Sequence, residues 1–263
     1  MYRDVPFRIE PLEQIAADLE EARIYCPNVK RVFLENGDPF VLSADRLKAI
    51  AELIHQKLPK VETIAMYASI QNIKSKTDQE LRELRSLGIN ELNIGVESGL
   101  DEALRQMNKG YTGEEAVREL LRLKAAGIDY GANVIFGAAG PDLRMVNAQK
   151  TAELINQTKP YLIFTGTIHA DPGCPLYEKM QSGEFVENTV GEYLEEEEAF
   201  LKALDVDDCF YFGLHPSNIV GLYGNLGTER RKMLAAIERK RKSLREAQIS
   251  SRPVRRGEGA IVL

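Results

Sequence analysis

The sequence is poor in metal-binding and cross-linking residues, with only three cysteines and three histidines among 263 residues. The cysteines, Cys26, Cys174 and Cys209, lie far apart, which excludes a disulfide framework like those of small secreted proteins. No two histidines have the spacing of a zinc-binding pair. No apolar run approaches the roughly 20 residues that span a membrane. Since no signal peptide opens the sequence either, we expect a cytoplasmic protein without a membrane partner.

The composition is that of a globular domain, with 44% apolar and 28% charged residues, and the length suffices for one large core. The net charge is −6, but residues 228–256 carry eleven Lys or Arg and only three Glu. Such a segment could bind nucleic acid, yet it has no aromatic side chain on which a base could stack. We therefore expect a solvated terminal helix and no nucleic-acid partner. The run Glu195–Glu198 is likewise expected on the solvated face of a helix.

Short apolar runs alternate with amphipathic helical patterns over most of the chain. Five runs have the length and composition of strands: Arg31–Glu35, Thr63–Tyr67, Glu91–Val96, Tyr130–Phe136 and Tyr161–Ile168. Strands that alternate with helices of about 10 to 15 residues indicate βαβ units and a parallel sheet. Beyond the fifth run the alternation weakens, and helices are predicted over residues 192–204 and 229–246.

Four of these strands end in, or are followed by, glycine and polar residues: Asn36-Gly37-Asp38-Pro39, Ala68-Ser69, Gly95-Val96-Glu97-Ser98-Gly99 and Gly137-Ala138-Ala139-Gly140-Pro141. In barrel-like β/α folds, ligands bind at the carboxyl ends of the strands. Glycine allows a ligand to approach the backbone, and polar side chains fix its orientation. The sequence thus predicts a ligand site formed by four strand ends.

The ordered set of strand ends, from Met1 to about Glu178, resembles the radical S-adenosylmethionine (radical SAM) enzymes. The resemblance implies an α/β fold: a partial (β/α)6 TIM-like barrel lacking its first strand over residues 1–178, then a mainly helical C-terminal extension over residues 179–263. It also implies that S-adenosylmethionine is cleaved reductively to a 5′-deoxyadenosyl radical, which attacks an unidentified substrate. A flavodoxin or ferredoxin would serve as the reductant.

The resemblance assigns the methionine end of the cofactor to residues near the first strand ends. Asn36-Gly37-Asp38 stands where the family has a Gly-Gly-Glu motif, so Gly37 and Asp38 are expected to bind the ammonium group. Lys109 matches a basic residue that reaches the cofactor carboxylate, and Ser69 is a further candidate. Simpler interpretations remain open, since Gly-Asp-Pro is common in turns and a lysine at a helix end is commonly solvated.

The adenosine end of the cofactor is assigned to the next two strand ends. Glu97 matches the family's acceptor for the ribose hydroxyls, and Ser98 could share that role. Alternatively Glu97 is structural, in which case it must find a buried basic partner. Asn133 matches a polar position in the following strand, whose end at Gly137–Gly140 would lie beside the adenine. An amide among apolar neighbours needs a hydrogen-bonding partner.

The family binds a 4Fe–4S cluster through a Cys-x3-Cys-x2-Cys loop after its first strand, and this sequence has no such spacing. The opening residues, Met1–Arg8, resemble the segment that follows the last cluster cysteine. We therefore expect the cluster in a longer, full-length protein, and expect this chain alone to lack it and to be inactive. The strand Arg31–Glu35 would then be an unpaired edge through which the chain self-associates.

Two other functions are open at the level of the sequence. A degenerate barrel could bind a nucleotide-like ligand or a partner without redox chemistry. An ordinary β/α-barrel lyase or aldolase is less well supported, because no predicted strand ends in a lysine. His169 and His215 lie in loops, where they could contact a substrate or serve only as structural hydrogen-bond donors.

Overall fold

A computed structural model describes residues 8–35 and 37–253 of the chain. Seven strands form one sheet, in the order in which they occur along the sequence. They are β1 (Arg31–Leu34), β2 (Thr63–Ala68), β3 (Ile89–Glu97), β4 (Asp129–Phe136), β5 (Leu162–Thr167), β6 (Phe210–Gly213) and β7 (Leu222–Asn225). Strands β1 to β6 run parallel to one another, and β7 pairs antiparallel with β6. The consecutive order is typical of barrel-like β/α folds and confirms the predicted class.

Helices connect the strands: α1 (Leu12–Tyr25), α2 (Ala44–Lys57), α3 (Ile70–Lys74), α4 (Asp78–Ser86), α5 (Asp101–Gln106), α6 (Gly113–Ala126), α7 (Gly140–Thr158), α8 (Pro175–Ser182), α9 (Val190–Ala203), α10 (Leu226–Ser243) and α11 (Glu246–Ile249). Several begin at a capping side chain, as the sequence predicts. Ser43 caps α2, and Thr77 and Thr112 form capping boxes at α4 and α6. No helix among the described residues is long and apolar enough to cross a membrane.

Residues alternate between two faces along each strand. The face that packs against the helices carries buried side chains: Ile64, Met66, Leu92, Ile94, Val134, Ile163 and Tyr211. The opposite face carries partly buried residues: Phe33, Tyr67, Asn133, Phe164 and Phe212. We call this second face the inner face; it lies on the side of the sheet opposite the packed helices. Its carboxyl-terminal border is formed by the strand ends that the sequence singles out.

The extension after residue 178 is mainly helical, as expected, and it also contributes β6 and β7 to the sheet. Sequence patterns do not predict these two strands, since each has only four residues and the surrounding stretch is rich in glycine and asparagine. Strand β6 pairs in parallel with β5, so the extension is continuous with the barrel-like part. The division of the chain into domains at residue 178 stays a prediction.

The prediction that the run Glu195–Glu198 is solvated is wrong for its two central residues. Glu196 and Glu197 are buried, whereas the two outer glutamates form ion pairs at the surface. The central pair is buried because α9 packs against α7 and β4. Protein donors take the place of water around the two carboxyl groups: Gly137, Asn147 and Asn188 donate to Glu196, and Tyr211 of β6 donates to Glu197.

Strand β1 lies at one edge of the sheet, as the sequence predicts. Within the described part of the chain, β2 is its only partner strand. Its outer backbone groups are therefore available to pair with a further strand. Self-association through this edge stays a prediction.

Candidate functional site

Glu97 ends β3 in an unusual backbone conformation. Its φ angle is 63°, in the left-handed region that residues other than glycine rarely adopt, and a bulge shifts the pairing with β4 between Gly95 and Glu97. The Glu97 Oε1 atom accepts a hydrogen bond from Lys109 Nζ at 2.6 Å. An ideal Cβ at Gly95 would lie 2.5 Å from that oxygen, so glycine leaves the room that the carboxylate occupies. Backbone strain of this kind is commonly found at functional sites.

Tyr111 holds the bulge in place. Its buried hydroxyl lies 2.9 Å from the Gly95 carbonyl oxygen and 3.1 Å from that of Val96, so it donates to the carbonyls beside Glu97. Burial raises the pKa of Tyr111 well above its usual value, and the charge of Glu97 adds to this shift. The hydroxyl therefore stays protonated and acts as a donor. No sequence motif points to Tyr111, because its partners are backbone oxygens that any residue could supply.

Asp38 follows β1 and presents a buried acceptor. Gly37 before it has a φ angle of 87°, which allows the chain to turn there, and Asn36 lies outside the described residues. The Asp38 Oδ1 atom is buried and has no hydrogen-bond donor in the described part of the chain. Burial raises the pKa of this carboxyl, and the nearby polar groups of Ser69 and Asn72 oppose the shift. A buried acceptor without a donor is rare, and a ligand could supply one.

Ser69 and Lys76 support the turn that holds Asp38. Ser69 caps α3, where its amide and its hydroxyl both donate to the Asn72 Oδ1 atom. The ammonium of the buried Lys76 donates to the Phe40 carbonyl at 2.7 Å and lies 4.3 Å from the centre of the Phe40 ring. Burial lowers the pKa of Lys76 to about 8. A helix cap and a buried amine thus fix the chain around Asp38.

Asn133 lies on the inner face of β4, paired in register with Gly95 of β3. It is therefore next to the bulge, and its side chain is partly exposed. Ser98 is different, because it is fully buried between strand and helix. Its hydroxyl donates to Asn147 Oδ1 and accepts from the Leu100 amide. The hydroxyl of Ser98 is thus already engaged within the protein.

The structure brings the candidate residues into two groups at one end of the parallel strands. Glu97, Lys109 and Asn133 surround the bulge of β3, and Asp38 and Ser69 lie together after β1 and β2. The basic partner that a structural Glu97 would need is present in Lys109. The Glu97 Oε2 atom has no hydrogen-bond donor among the described residues, so the pair still leaves one acceptor for a ligand. The binding roles of these residues stay predictions.

The three cysteines do not form a cluster site. Cys26 is exposed at the end of α1, Cys174 caps α8, and Cys209 is buried directly before β6. Cys26 and Cys209 precede parallel strands, whereas Cys174 follows one, so they lie towards opposite ends of the sheet. A 4Fe–4S cluster needs converging thiolates. In the described residues no group of three His, Cys, Asp or Glu side chains could hold a metal ion, so the cluster does not fit them.

Comparison with family models gives a match to the family described as "Radical SAM superfamily" over residues 2–155, more than half of the chain. The chain belongs to the radical SAM superfamily. This membership confirms the resemblance seen at the strand ends, and the family uses S-adenosylmethionine and a 4Fe–4S cluster. Residues 1–7, which include most of the segment resembling the one after the last cluster cysteine, lie outside the described residues.

Among curated proteins, the heme chaperone HemW of Bacillus subtilis is 22% identical over 181 residues, which are 66% of this chain and 47% of that protein. The chain thus spans about half the length of this radical SAM relative. The structure of Elp3 from Methanocaldococcus infernus matches with a TM-score of 0.55 at 17% identity, covering 89% of this chain and 59% of that one. Coproporphyrinogen III oxidase HemN from Escherichia coli matches with a TM-score of 0.53 at 15% identity, covering 72% and 44%. These structures share the fold.

Proposed function

We propose that this chain binds S-adenosylmethionine along the carboxyl ends of β1 to β4, as the cofactor-binding part of a radical SAM enzyme. Bound beside a reducing cluster, with a flavodoxin or ferredoxin as electron donor, the cofactor would supply radical chemistry for a substrate that is not yet identified. The cysteines of this chain do not fit the cluster. The residues present would therefore bind and orient the cofactor.

Each polar group of the cofactor would meet a side chain of matching chemistry. Asp38 would accept from the ammonium group, and Lys109 would share its charge between Glu97 and the cofactor carboxylate. The unpaired Glu97 Oε2 atom would accept from the ribose hydroxyls. The amide of Asn133, beside the bulge on the inner face, would hydrogen-bond towards the adenine. These roles follow from the hydrogen bonds that each of the four side chains can donate or accept.

The buried Asp38 Oδ1 atom is the observation that carries this proposal. Leaving such an acceptor without a donor costs about 1 to 3 kcal/mol. The buried cation Lys76, whose charge acts on Asp38, donates instead to the carbonyl groups of Phe40 and Asn72. A ligand ammonium would supply the missing donor and bring a charge opposite to that of the carboxylate.

Calorimetric titration of the Asp38→Asn variant tests the proposal with three probes. S-adenosylmethionine and S-adenosylhomocysteine carry the ammonium group, whereas 5′-deoxyadenosine lacks it. We expect Asp38→Asn to weaken binding of the first two about tenfold, because a charge-assisted hydrogen bond is lost, and to leave 5′-deoxyadenosine unaffected.

Asp45→Asn is the matched control, because Asp45 lies on α2 with 95% of its side chain exposed. It should bind all three probes like the wild type. Failure of the wild-type chain to bind any of the probes would contradict the proposal. Equal weakening of all three probes by Asp38→Asn would show that Asp38 acts through the fold alone.

Reconstitution with iron and sulfide tests the expectation about the cluster. The three cysteines lie on separate elements, so we expect no stable cluster absorbance from the chain on its own. A stoichiometric cluster that disappears when Cys26, Cys174 and Cys209 are replaced by serine would overturn this expectation.

A binding module without radical chemistry is the second candidate, and the inner face favours haem as its ligand. Phe164 stacks on Phe212 with ring centres 5.4 Å apart, and the His215 ring lies 6.0 Å from Phe164. Burial lowers the pKa of His215, and its Nδ1 atom lies 2.7 Å from the Ser217 hydroxyl oxygen. A neutral imidazole beside stacked rings suits a flat, apolar ligand with a metal centre. The relative named a heme chaperone makes haem the ligand to test.

Absorption titration with haem decides this second candidate. His215→Ala should shift the main haem absorption band or abolish binding, whereas His169→Ala should leave the spectrum unchanged, since His169 lies half-exposed beside Asp171. Identical spectra for both variants would exclude His215 as a ligand. Tight haem binding together with no affinity for the three cofactor probes would favour the module over the enzyme.

A further inference from the structure

A series of buried polar side chains connects helix α9 to the strand ends that border the candidate site. Glu196 on α9 is fully buried, and both of its carboxylate oxygens accept hydrogen bonds. The Oε2 atom accepts from the Gly137 amide and from Asn188 Nδ2, each at 2.9 Å, and the Oε1 atom accepts from Asn147 Nδ2 at 2.7 Å. All three donors are N–H groups, so this position requires a side chain that accepts.

Asn147 continues the connection from α7 to the end of β3. Its Oδ1 atom accepts from the Ser98 hydroxyl at 2.5 Å, and the Ser98 Oγ atom accepts from the Leu100 amide at 2.9 Å. Ser98 directly follows Glu97, the residue in the left-handed conformation. Holding Ser98 therefore holds one side of the strained residue that presents its carboxylate to the site.

The end of β4 is held by the same helix. Gly137 has a φ angle of 81°, and an ideal Cβ there would lie 2.5 Å from the Tyr193 ring of α9. Helix α9 thus contacts this turn with a ring and with the Glu196 carboxylate. The contact joins a helix of the extension to the glycine-bearing turn that the sequence assigns to the adenine.

Building on the proposed function, we infer that Glu196 is a positioning residue for the ligand site. It holds the Gly137 turn directly, and through Asn147 and Ser98 it holds the end of β3, so the two strand ends keep one relative geometry. Glu196 itself lies behind the site and contacts no ligand.

The adjacent Glu197 provides a matched comparison. It is also buried on α9, and burial raises the pKa of both carboxyl groups to about 7. Glu197 accepts from the Tyr211 hydroxyl at 2.7 Å, which lies 3.3 Å from the Thr165 hydroxyl, and so faces β5 and β6. Removing either glutamate removes one buried carboxyl group, but only Glu196 bonds both to the Gly137 turn and, through Asn147, to Ser98 at the end of β3.

Amide hydrogen exchange tests the inference without any ligand. In Glu196→Ala we expect exchange at Gly137 and over residues 95–100 to become about tenfold faster, because hydrogen bonds that hold these backbone segments are lost. In Glu197→Ala, exchange at the same amides should match the wild type. Equal acceleration in the two variants would overturn the inference.

Glu196→Gln tests whether hydrogen bonding carries the effect. The glutamine carbonyl can accept from Gly137 and Asn188, and its amide can donate to Asn147 once the Asn147 amide turns over and donates to Ser98. We expect exchange at the strand ends to stay within about threefold of the wild type. Exchange as fast as in Glu196→Ala would contradict the proposed connection.

Asn147→Ala covers the case in which Glu196→Ala fails to fold. This variant removes the path to Ser98 and the donor to Glu196 Oε1, while Gly137 and Asn188 still bond to Oε2. Exchange should therefore accelerate over residues 95–100 and stay close to the wild type at Gly137. Acceleration at both places, or at neither, would count against the inference.

Titration with 5′-deoxyadenosine then connects the positioning role to binding. We expect Glu196→Ala to bind about tenfold more weakly than the wild type, and Glu197→Ala to bind within about twofold of it. Unchanged affinity in a Glu196→Ala protein with loosened strand ends would overturn the role in ligand binding. Absence of binding by the wild type would contradict the proposed function instead, and the exchange data would still decide whether Glu196 holds the strand ends.

Discussion

Two pairs of carboxyl groups, Asp38 with Glu97 and Glu196 with Glu197, differ in how the protein surrounds them. Asp38 and Glu97 follow or end β1 and β3, and each has an oxygen without a hydrogen-bond donor among the described residues. Glu196 and Glu197 are buried in α9, where amide, backbone N–H and hydroxyl groups donate to them. The first pair is open to a ligand, and the second pair is engaged by the fold.

The difference shows that burial alone does not identify a functional carboxylate. A buried group whose acceptors are satisfied connects elements of structure, whereas a buried acceptor left without a donor, as at Asp38 Oδ1, indicates a missing partner. In this protein the two kinds of group are connected, because the engaged carboxylate of Glu196 accepts a hydrogen bond from Gly137, in the turn beside the candidate site. The predictions below separate the two roles.

The largest effect is expected where α9 contacts the end of β4. Gly137→Ala would force a left-handed φ angle on alanine and place its Cβ against the Tyr193 ring, so we expect the free energy of unfolding to fall by about 3 kcal/mol or more. Gly183→Ala is the control, since Gly183 has a similar φ angle of 78° and no atom within 4 Å of an added Cβ. Urea denaturation of both variants measures the difference. Equal losses would mean that α9 does not pack tightly on this turn.

The second largest effect is expected in the pH dependence of stability, because Glu196 and Glu197 are buried carboxyl groups. Burial raises the pKa of Glu197 from 4.5 to about 7, so the folded protein holds a proton that the unfolded chain releases in this range. The resulting stabilisation is complete below about pH 4.5 and is lost as the pH rises through about 7. We expect the stability of Glu197→Gln relative to the wild type to increase by roughly 2 to 3 kcal/mol from pH 5 to pH 8. Parallel unfolding curves across this range would contradict the shift.

Removing the open carboxylate of β3 should affect binding more than folding. Glu97→Ala should weaken 5′-deoxyadenosine binding by roughly 2 kcal/mol, about thirtyfold, because the ribose hydroxyls lose a charged acceptor. Glu102→Ala, on the exposed surface of α5, should bind like the wild type. Calorimetry on both variants decides the role. Unchanged affinity in Glu97→Ala would assign Glu97 to the ion pair with Lys109 alone.

The smallest effect is expected at the edge strand. The outer backbone groups of β1, which have no partner strand among the described residues, should produce weak, concentration-dependent self-association, which sedimentation velocity would detect. Phe33→Lys should reduce it, because a charge on an edge strand opposes strand-to-strand pairing. A wild-type chain that stays monomeric at high concentration would contradict this prediction.

Much of the local structure could be predicted from single residues and spacings. Ser43, Thr77 and Thr112 begin helices because their side chains accept from free amides of the first turn, and Gly127 ends one in the left-handed conformation. Apolar runs in the sequence predict five of the seven strands. The sequence also predicts part of the candidate site, since separate motifs indicate Glu97 and Lys109, which lie 2.6 Å apart in the structure.

Other features could not be read from local patterns. Tyr111 and Asn147 act on groups that lie 15 or more residues away in the chain, and nothing in their neighbourhood indicates the partner. The short strands β6 and β7 depend on pairing with strands already formed rather than on their own composition.

The sequence by itself determined the alternation of strands and helices, the ends of several helices and the set of polar residues at the strand ends. These follow from side-chain periodicity and from local hydrogen bonds, which act over a few residues. Only the tertiary structure decided that Glu196 is buried and Glu195 is not, and that Ser98 is engaged by a helix rather than open to a ligand. A periodic pattern shows which residues share a face, and the element that packs there decides whether water or the protein satisfies them.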